Sequence, residues 1–172
     1  RIDERPYSIT LSPHGHFWLM LRPATERLEI AGRPPRPLKL EALPQARLDE
    51  EVREYLEGRV MAAYLQRARW FGGKGRLMRG LEIIEVIRLE CEPLPCWLLL
   101  VQVEYNEGVP DTYQILLSFA MKEKAEDIRN KYPSAIMGEV QVDKEEGIIY
   151  DAMFDRALQE RFLDIISGLR RV

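Results

Sequence analysis

Histidine and cysteine are scarce in this chain, two of each among 172 residues. A catalytic triad needs a central imidazole, and outside His14 and His16 there is none. Those two stand at i and i+2, so on a strand they share a face and could reach one metal. No cysteine or carboxylate lies near them in sequence, and turn or strand surface is the expectation. Cys91 and Cys96 sit in "ECEPLPCW" with no second pair, which is a poor zinc pattern. Two free thiols are expected there, with a local disulfide across the loop as the alternative. Long apolar runs are missing too. The best candidate, Cys96–Tyr105, is interrupted by Gln102 and Glu104 and falls far short of the roughly 20 residues of a membrane span, so no membrane partner is expected. Charge excess is likewise absent: the formal net charge is −3, which argues against a surface devoted to nucleic acid while leaving a local basic patch open.

What is present fits an ordinary globular domain: 46% hydrophobic and 31% charged residues. A chain of this length buries roughly two thirds of its unfolded surface and needs no metal or disulfide to fold. It begins "RIDERPYS", with neither an initiator methionine nor a secretion signal. It is therefore expected to be an internal piece of a longer, cytoplasmic polypeptide.

Three segments are legible. Residues 1–22 contain "YSITLSPHGHFWLMLR", two short strands about an "SPHG" turn, too small to be stable alone. Residues 23–47 hold five of the eleven prolines, a density that favours extended, semi-rigid linker. Residues 48–172 form the main domain. There Leu48, Val52, Tyr55, Leu56, Val60, Ala63 and Tyr64 recur at helical spacing, interrupted by Gly58. The period then switches to two. "LMRGLEIIEVIRLE", "CWLLLVQVEY" and "DTYQILLSFA" predict an antiparallel meander. "KEKAEDIRNKY" predicts a polar helix, and "SAIMGEVQV" with "GIIYDA" a hairpin about "DKEEG". Phe154, Leu158, Phe162, Ile165, Ile166 and Leu169 predict a final amphipathic helix. The expected fold class is α+β: an antiparallel sheet of about five strands, with helices packed on one face in a cystatin-like arrangement.

Chemistry, if any, should lie in "RARWFGGKGR", Arg67–Arg76. A Walker A loop requires G-x-x-x-x-G-K-[ST] between a strand and a helix. Here Gly75 follows Gly73-Lys74, Ala68 stands five before Gly73, and the order is helix, loop, strand. A kinase glycine-rich loop fails as well, with Met78 where its last glycine belongs. The stretch Arg67–Arg79 carries five basic residues and no acid, interleaved with Trp70 and Phe71, as single-strand binders do. The structural expectation is instead that the glycines end a helix, the aromatics enter the core, and the arginines are solvated or paired with nearby glutamates. The paired carboxylates (Glu50-Glu51, Glu145-Glu146, Asp151 with Asp155) read as charged turns and helix faces. No catalytic, nucleotide-binding or metal residue is assigned. Arg69, Trp70, Phe71, Gly72, Gly73 and Lys74 are assigned as a structural motif.

The strings "YLQRARWFGGKGR" (Tyr64–Arg76), "LLLVQVEYNEGVPDTYQILLSFA" (Leu98–Ala120) and "GIIYDAMFDRALQERFLDII" (Gly147–Ile166) resemble the N-terminal cap of maltokinases. That family pairs Q-R-W-F-G-G-K with a "Y…G…Y-x-L" strand pair and a "G-x-L-x-D-A" step; Ala68 stands here where Gln is common. The front end, "ITLSPHGHFWLMLRP", is similar to the closing strands of the C-terminal β domain of α-amylase-family enzymes such as trehalose synthase. The resemblance implies a fused trehalose synthase/maltokinase as parent, with an upstream trehalose synthase domain and a downstream kinase domain as partners in one polypeptide. It implies interconversion of trehalose and maltose, and phosphorylation of maltose by ATP with Mg²⁺. No H-x-D-x-x-x-x-N catalytic loop occurs in this chain, so the piece itself is expected to be inactive and to need no cofactor. Two other readings remain: a stand-alone interaction or regulatory module, and a nucleic-acid-binding domain using Arg67–Arg79.

Overall fold

The computed structural model describes residues 36–44, 48–91 and 95–169, together with Pro13 and His16. The two strands expected within residues 1–22 lie outside the described residues, as does most of the expected linker. What remains is an α+β unit built on six strands. They are β1 (Leu38–Leu40), β2 (Met78–Leu89), β3 (Cys96–Tyr105), β4 (Asp111–Met121), β5 (Ile136–Val142) and β6 (Glu145–Asp151). Their order in the sheet is β1-β5-β6-β4-β3-β2.

The meander and the hairpin form as the alternation predicts: β2, β3 and β4 pair antiparallel in sequence, and β5 pairs antiparallel with β6. Two features depart from the expected antiparallel sheet of five strands. Leu38–Leu40, inside the segment read as linker, pairs parallel with Val140–Val142. Pro37 immediately precedes this strand at the sheet margin, where a missing N–H is tolerated, and Leu38 and Leu40 are buried. At Leu38–Leu40 it is pairing partners a hundred residues away that make the chain a docked strand.

The second departure concerns the helices, which cover both faces of the sheet rather than one. On one face α1 (Glu50–Tyr55) and α2 (Met61–Arg67) pack Val52, Leu56, Met61 and Leu65 against Leu99, Val101, Ile115, Leu117, Phe119 and Ile149. On the other, α3 (Lys122–Lys131) and α4 (Arg156–Leu169) pack Ala125, Ile128 and Leu158 against Leu116, Ala120, Ile148 and Tyr150. Alternate residues of β4 thus feed two cores, and six consecutive residues, Ile115–Ala120, are buried. A strand covered on both faces reads as an unbroken apolar run. The string "ILLSFA" carried that signal.

The helix expected through Leu48–Tyr64 is not continuous. Between α1 and α2 the chain makes a wide turn over Leu56–Val60, where Gly58 leaves helical geometry at ψ −116°. Glycine lowers the cost of that departure because no Cβ opposes it. The two cysteines also differ from the expected free thiols: Cys91 and Cys96 are joined in a disulfide, Cα–Cα 6.0 Å. The reason is the hairpin itself. Cys96 opposes Leu89 in the β2–β3 register, so a chain that turns back after Leu89 brings Cys91 alongside its partner.

Candidate functional site

The glycine-rich stretch forms the corner between α2 and β2. Helix α2 ends at Arg67, where Ala68 turns extended and its N–H bonds to the Tyr64 and Leu65 carbonyls. Gly72–Gly75 then makes one tight turn, closed by Arg76 N–H to Gly73 O at 3.0 Å, and the chain enters β2. The order is helix, turn, strand.

Phe71 is buried, with 3% of its surface exposed, whereas Trp70 keeps 45% exposed. The expectation that both aromatics enter the core therefore holds for Phe71 alone. The two rings meet the same tyrosine from different sides: Tyr113 lies 5.0 Å from Phe71 and 6.0 Å from Trp70, centroid to centroid. Gly73 is buried beneath Tyr105. A Cβ built there would stand 2.5 Å from Phe71 Cζ and 2.9 Å from Tyr105 Cε1, so only glycine fits that close approach. Arg69, Gly72 and Lys74 are exposed.

The sequence-based site stopped at Lys74 and missed the residue that ties the corner down. Arg76 lays its guanidinium over the Tyr105 ring at 3.4 Å from the centroid. Its Nη1 donates to Asp111 Oδ2 at 2.7 Å, and its Nη2 donates to Val109 O at 2.7 Å and Glu107 O at 3.3 Å. The Tyr105 and Tyr113 hydroxyls meet at 3.2 Å, and Tyr113 also donates to Asp111 Oδ2 at 3.4 Å. Gly108, φ +88°, makes the turn that aims those carbonyls at Arg76, and a Cβ on it would lie 3.0 Å from Nη2. Arg76 thus pairs with the aspartate that opens β4 and not with a glutamate nearby in sequence. Of the other basic residues, Arg67 donates to Ile136 O at 2.9 Å, while Arg69, Lys74 and Arg79 are exposed.

A second tie joins the start of the motif to the end of the sheet. The Tyr64 hydroxyl donates to Asp151 Oδ2, and Asp151 Oδ1 accepts the Met153 N–H at 3.0 Å. Asp151 is 3% exposed. Burial pushes its carboxyl above the usual range, and the hydroxyl of Tyr64 and the amide of Met153 pull only part of that back. Burial, then the adjacent Asp151 charge, raises the Tyr64 hydroxyl as well. These three stretches, "YLQRARWFGGKGR", the tyrosine pair with Gly108 between, and "GIIYDA", are 29 or more residues apart in sequence yet form one interlocked corner. Residues 64–155 match the family model of the maltokinase N-terminal cap domain.

The chain belongs to the maltokinase N-terminal cap family. The match covers more than half of its residues and spans all three stretches. Comparison with curated proteins finds no match.

Beside the corner, the cap carries an open groove of about 680 Å³, walled by Trp70 and Gln114 on one side and by Met153, Gln159 and Leu163 on the other. It lies where β4 runs past its neighbour: the β4–β6 pairing ends at Leu117↔Asp151, and β4 continues back to Asp111. Met153 and Leu163 are exposed, like Trp70. Asp151 lines the groove floor, but its two oxygens are committed to Tyr64 and Met153, which makes it a brace for the corner. Among the described residues no group of three or more His, Cys, Asp or Glu side chains could hold a metal ion, and no helix is long and apolar enough to cross a membrane.

Proposed function

We propose that this chain is the non-catalytic cap portion of a fused trehalose synthase/maltokinase. In this reading the parent works in the cytoplasm. Its upstream domain interconverts trehalose and maltose. Its downstream kinase domain moves the γ-phosphoryl group of ATP, with Mg²⁺, onto the anomeric hydroxyl of maltose to give maltose 1-phosphate for α-glucan synthesis. The cap buttresses the nucleotide-binding lobe and fixes its position relative to the sugar lobe. The observation that carries the reading is the family match over residues 64–155. The groove beside Trp70 supports it, because a half-exposed tryptophan next to exposed Met153 and Leu163 is the composition of an interface anchor.

The test uses the full-length polypeptide. Trp70→Ala removes a ring that is half in water, so it should cost the cap only about 1 kcal/mol. It should lower the maltose-kinase rate several-fold while leaving trehalose–maltose interconversion unchanged. An unchanged kinase rate and melting temperature would end the anchor role of Trp70. A coding sequence beyond Val172 without an Asp–x₄–Asn catalytic loop would end the kinase assignment itself.

A further inference from the structure

Strand β2 is an outer strand of the sheet and twelve residues long. Edges of that length are templates for strand addition unless something blocks them. At Ile83 something does. Its N–H donates to Glu57 Oε1 at 2.7 Å, and its carbonyl accepts from Arg53 Nη2. Arg53 Nε in turn donates to the same Glu57 oxygen at 3.2 Å. In an antiparallel strand the N–H and C=O of one residue point to the same side. Both groups of Ile83 are bonded to helix side chains, so both face away from β3. The carboxylate and guanidinium therefore present one acceptor and one donor to β2, the pattern a neighbouring peptide would present.

Two further observations meet at this point. The β2–β3 register slips between Ile83 and Glu85, a bulge that leaves Ile84 without an opposite residue, and bulges are a recurrent device at sheet edges. Glu57 lies in the wide turn between α1 and α2, one residue before Gly58 leaves helical geometry, so the break sits beside the side chain that reaches the strand. Beyond the clasp, Ile84 and Ile87 stand 47% and 39% exposed.

We propose that the Arg53–Glu57 pair is a surrogate strand that closes the outer edge of β2 to a second copy of this chain. The second copy is the fitting occupant because the edge is self-compatible. It has apolar Ile84 and Ile87 beside it and exposed charges of both signs: Arg79 and Arg88, Glu82 and Glu85. No net charge repels its twin. Removing the pair leaves the Ile83 N–H and C=O unbonded next to buried surface, and pairing with another β2 is the local way to satisfy them.

Sedimentation velocity on the 172-residue chain tests this. Wild type should run as a single 20.1 kDa species. Arg53→Ala/Glu57→Ala should double its mass with rising concentration while keeping its circular dichroism, and adding Ile87→Lys should return it to the monomer, since an edge lysine resists pairing. A folded double variant that stays monomeric overturns the proposal. So does a dimer indifferent to Ile87→Lys, or a wild type that dimerises as readily. If the double variant does not fold, Arg53→Met, which frees only the Ile83 carbonyl, must still shift the concentration dependence toward dimer. A monomer there overturns the proposal equally.

Discussion

Tyr64→Phe removes one oxygen and little else, which makes it the cleanest probe of the interlocked corner. The Tyr64 hydroxyl donates to a carboxylate that is almost fully buried, and hydrogen bonds to charged groups contribute about 1.5–3 kcal/mol. A loss of about 2 kcal/mol at pH 7 is expected, which in a chain of this length lowers Tm by about 4–8 °C. The pH dependence separates this mechanism from ordinary loss of packing. Burial holds the Asp151 carboxyl above its unfolded range. The native state therefore binds that proton more tightly than the unfolded chain, whose value is about 3.9. Stability from this group is greatest below that value and declines as pH rises toward the folded one. Tyr64→Phe deletes a bond that favours the charged form, so the folded value rises further and the decline runs on to higher pH. The deficit should be largest near pH 7 and shrink to about 1 kcal/mol well below pH 3.9, where the carboxyl is neutral in both states. Urea titrations at the two pH values measure it. A deficit that is the same at both would refute the charge-based account.

Three other outcomes follow from the same geometry. Gly73→Ala drives a methyl against Tyr105 and Phe71 and should cost about 1–3 kcal/mol through overpacking; combining it with Tyr105→Leu, which opens that space, should cost less than the two changes summed. Asp155 accepts the Ala157 N–H at 3.1 Å at the start of α4 and pairs with Lys124 Nζ at 2.8 Å. Burial alone would raise its carboxyl, but Lys124, the Ala157 amide and Tyr150 outweigh it and hold it low. The associated stability is present above about pH 3.9 and lost as pH falls through the folded value, so Asp155→Asn, which still caps, should flatten that part of an acid titration followed by circular dichroism. Cys91→Ser/Cys96→Ser opens a loop with a sequence separation of 5 and should cost about 2 kcal/mol in denaturant unfolding, the chain-entropy value for so short a loop; unchanged stability under reducing conditions would remove the disulfide from the account.

Local rules carried much of the fold. Alternation in "CWLLLVQVEY" and "DTYQILLSFA" placed β3 and β4 correctly, and the polar string "KEKAEDIRNKY" placed α3, because strand and helix periods depend only on neighbours in sequence. The failures occurred where the partner is distant. Pro37 could announce extended chain, but only Val140–Val142 could make Leu38–Leu40 a strand. Trp70 and Phe71 are adjacent and equally apolar, and their opposite burial is set by where Tyr105 and Tyr113 stand. Arg76 looked like one more cation in a basic run until the β3–β4 turn brought Asp111 and two carbonyls to it. The nearly continuous apolar run "ILLSFA", broken only by Ser118, was an available sign of a sheet covered on both faces.

By itself the sequence determined the α+β composition, the strands of the meander and the glycine corner, because propensity, period and turn chemistry act over a few residues. Only the tertiary structure decided which side chains hold that corner shut and which close the outer edge of β2. Tyr64 with Asp151, Arg76 with Asp111 and Arg53 with Ile83 are separated by 87, 35 and 30 residues. Hydrogen bonds need their partners within about 3 Å, and nothing short of the folded sheet brings such pairs together.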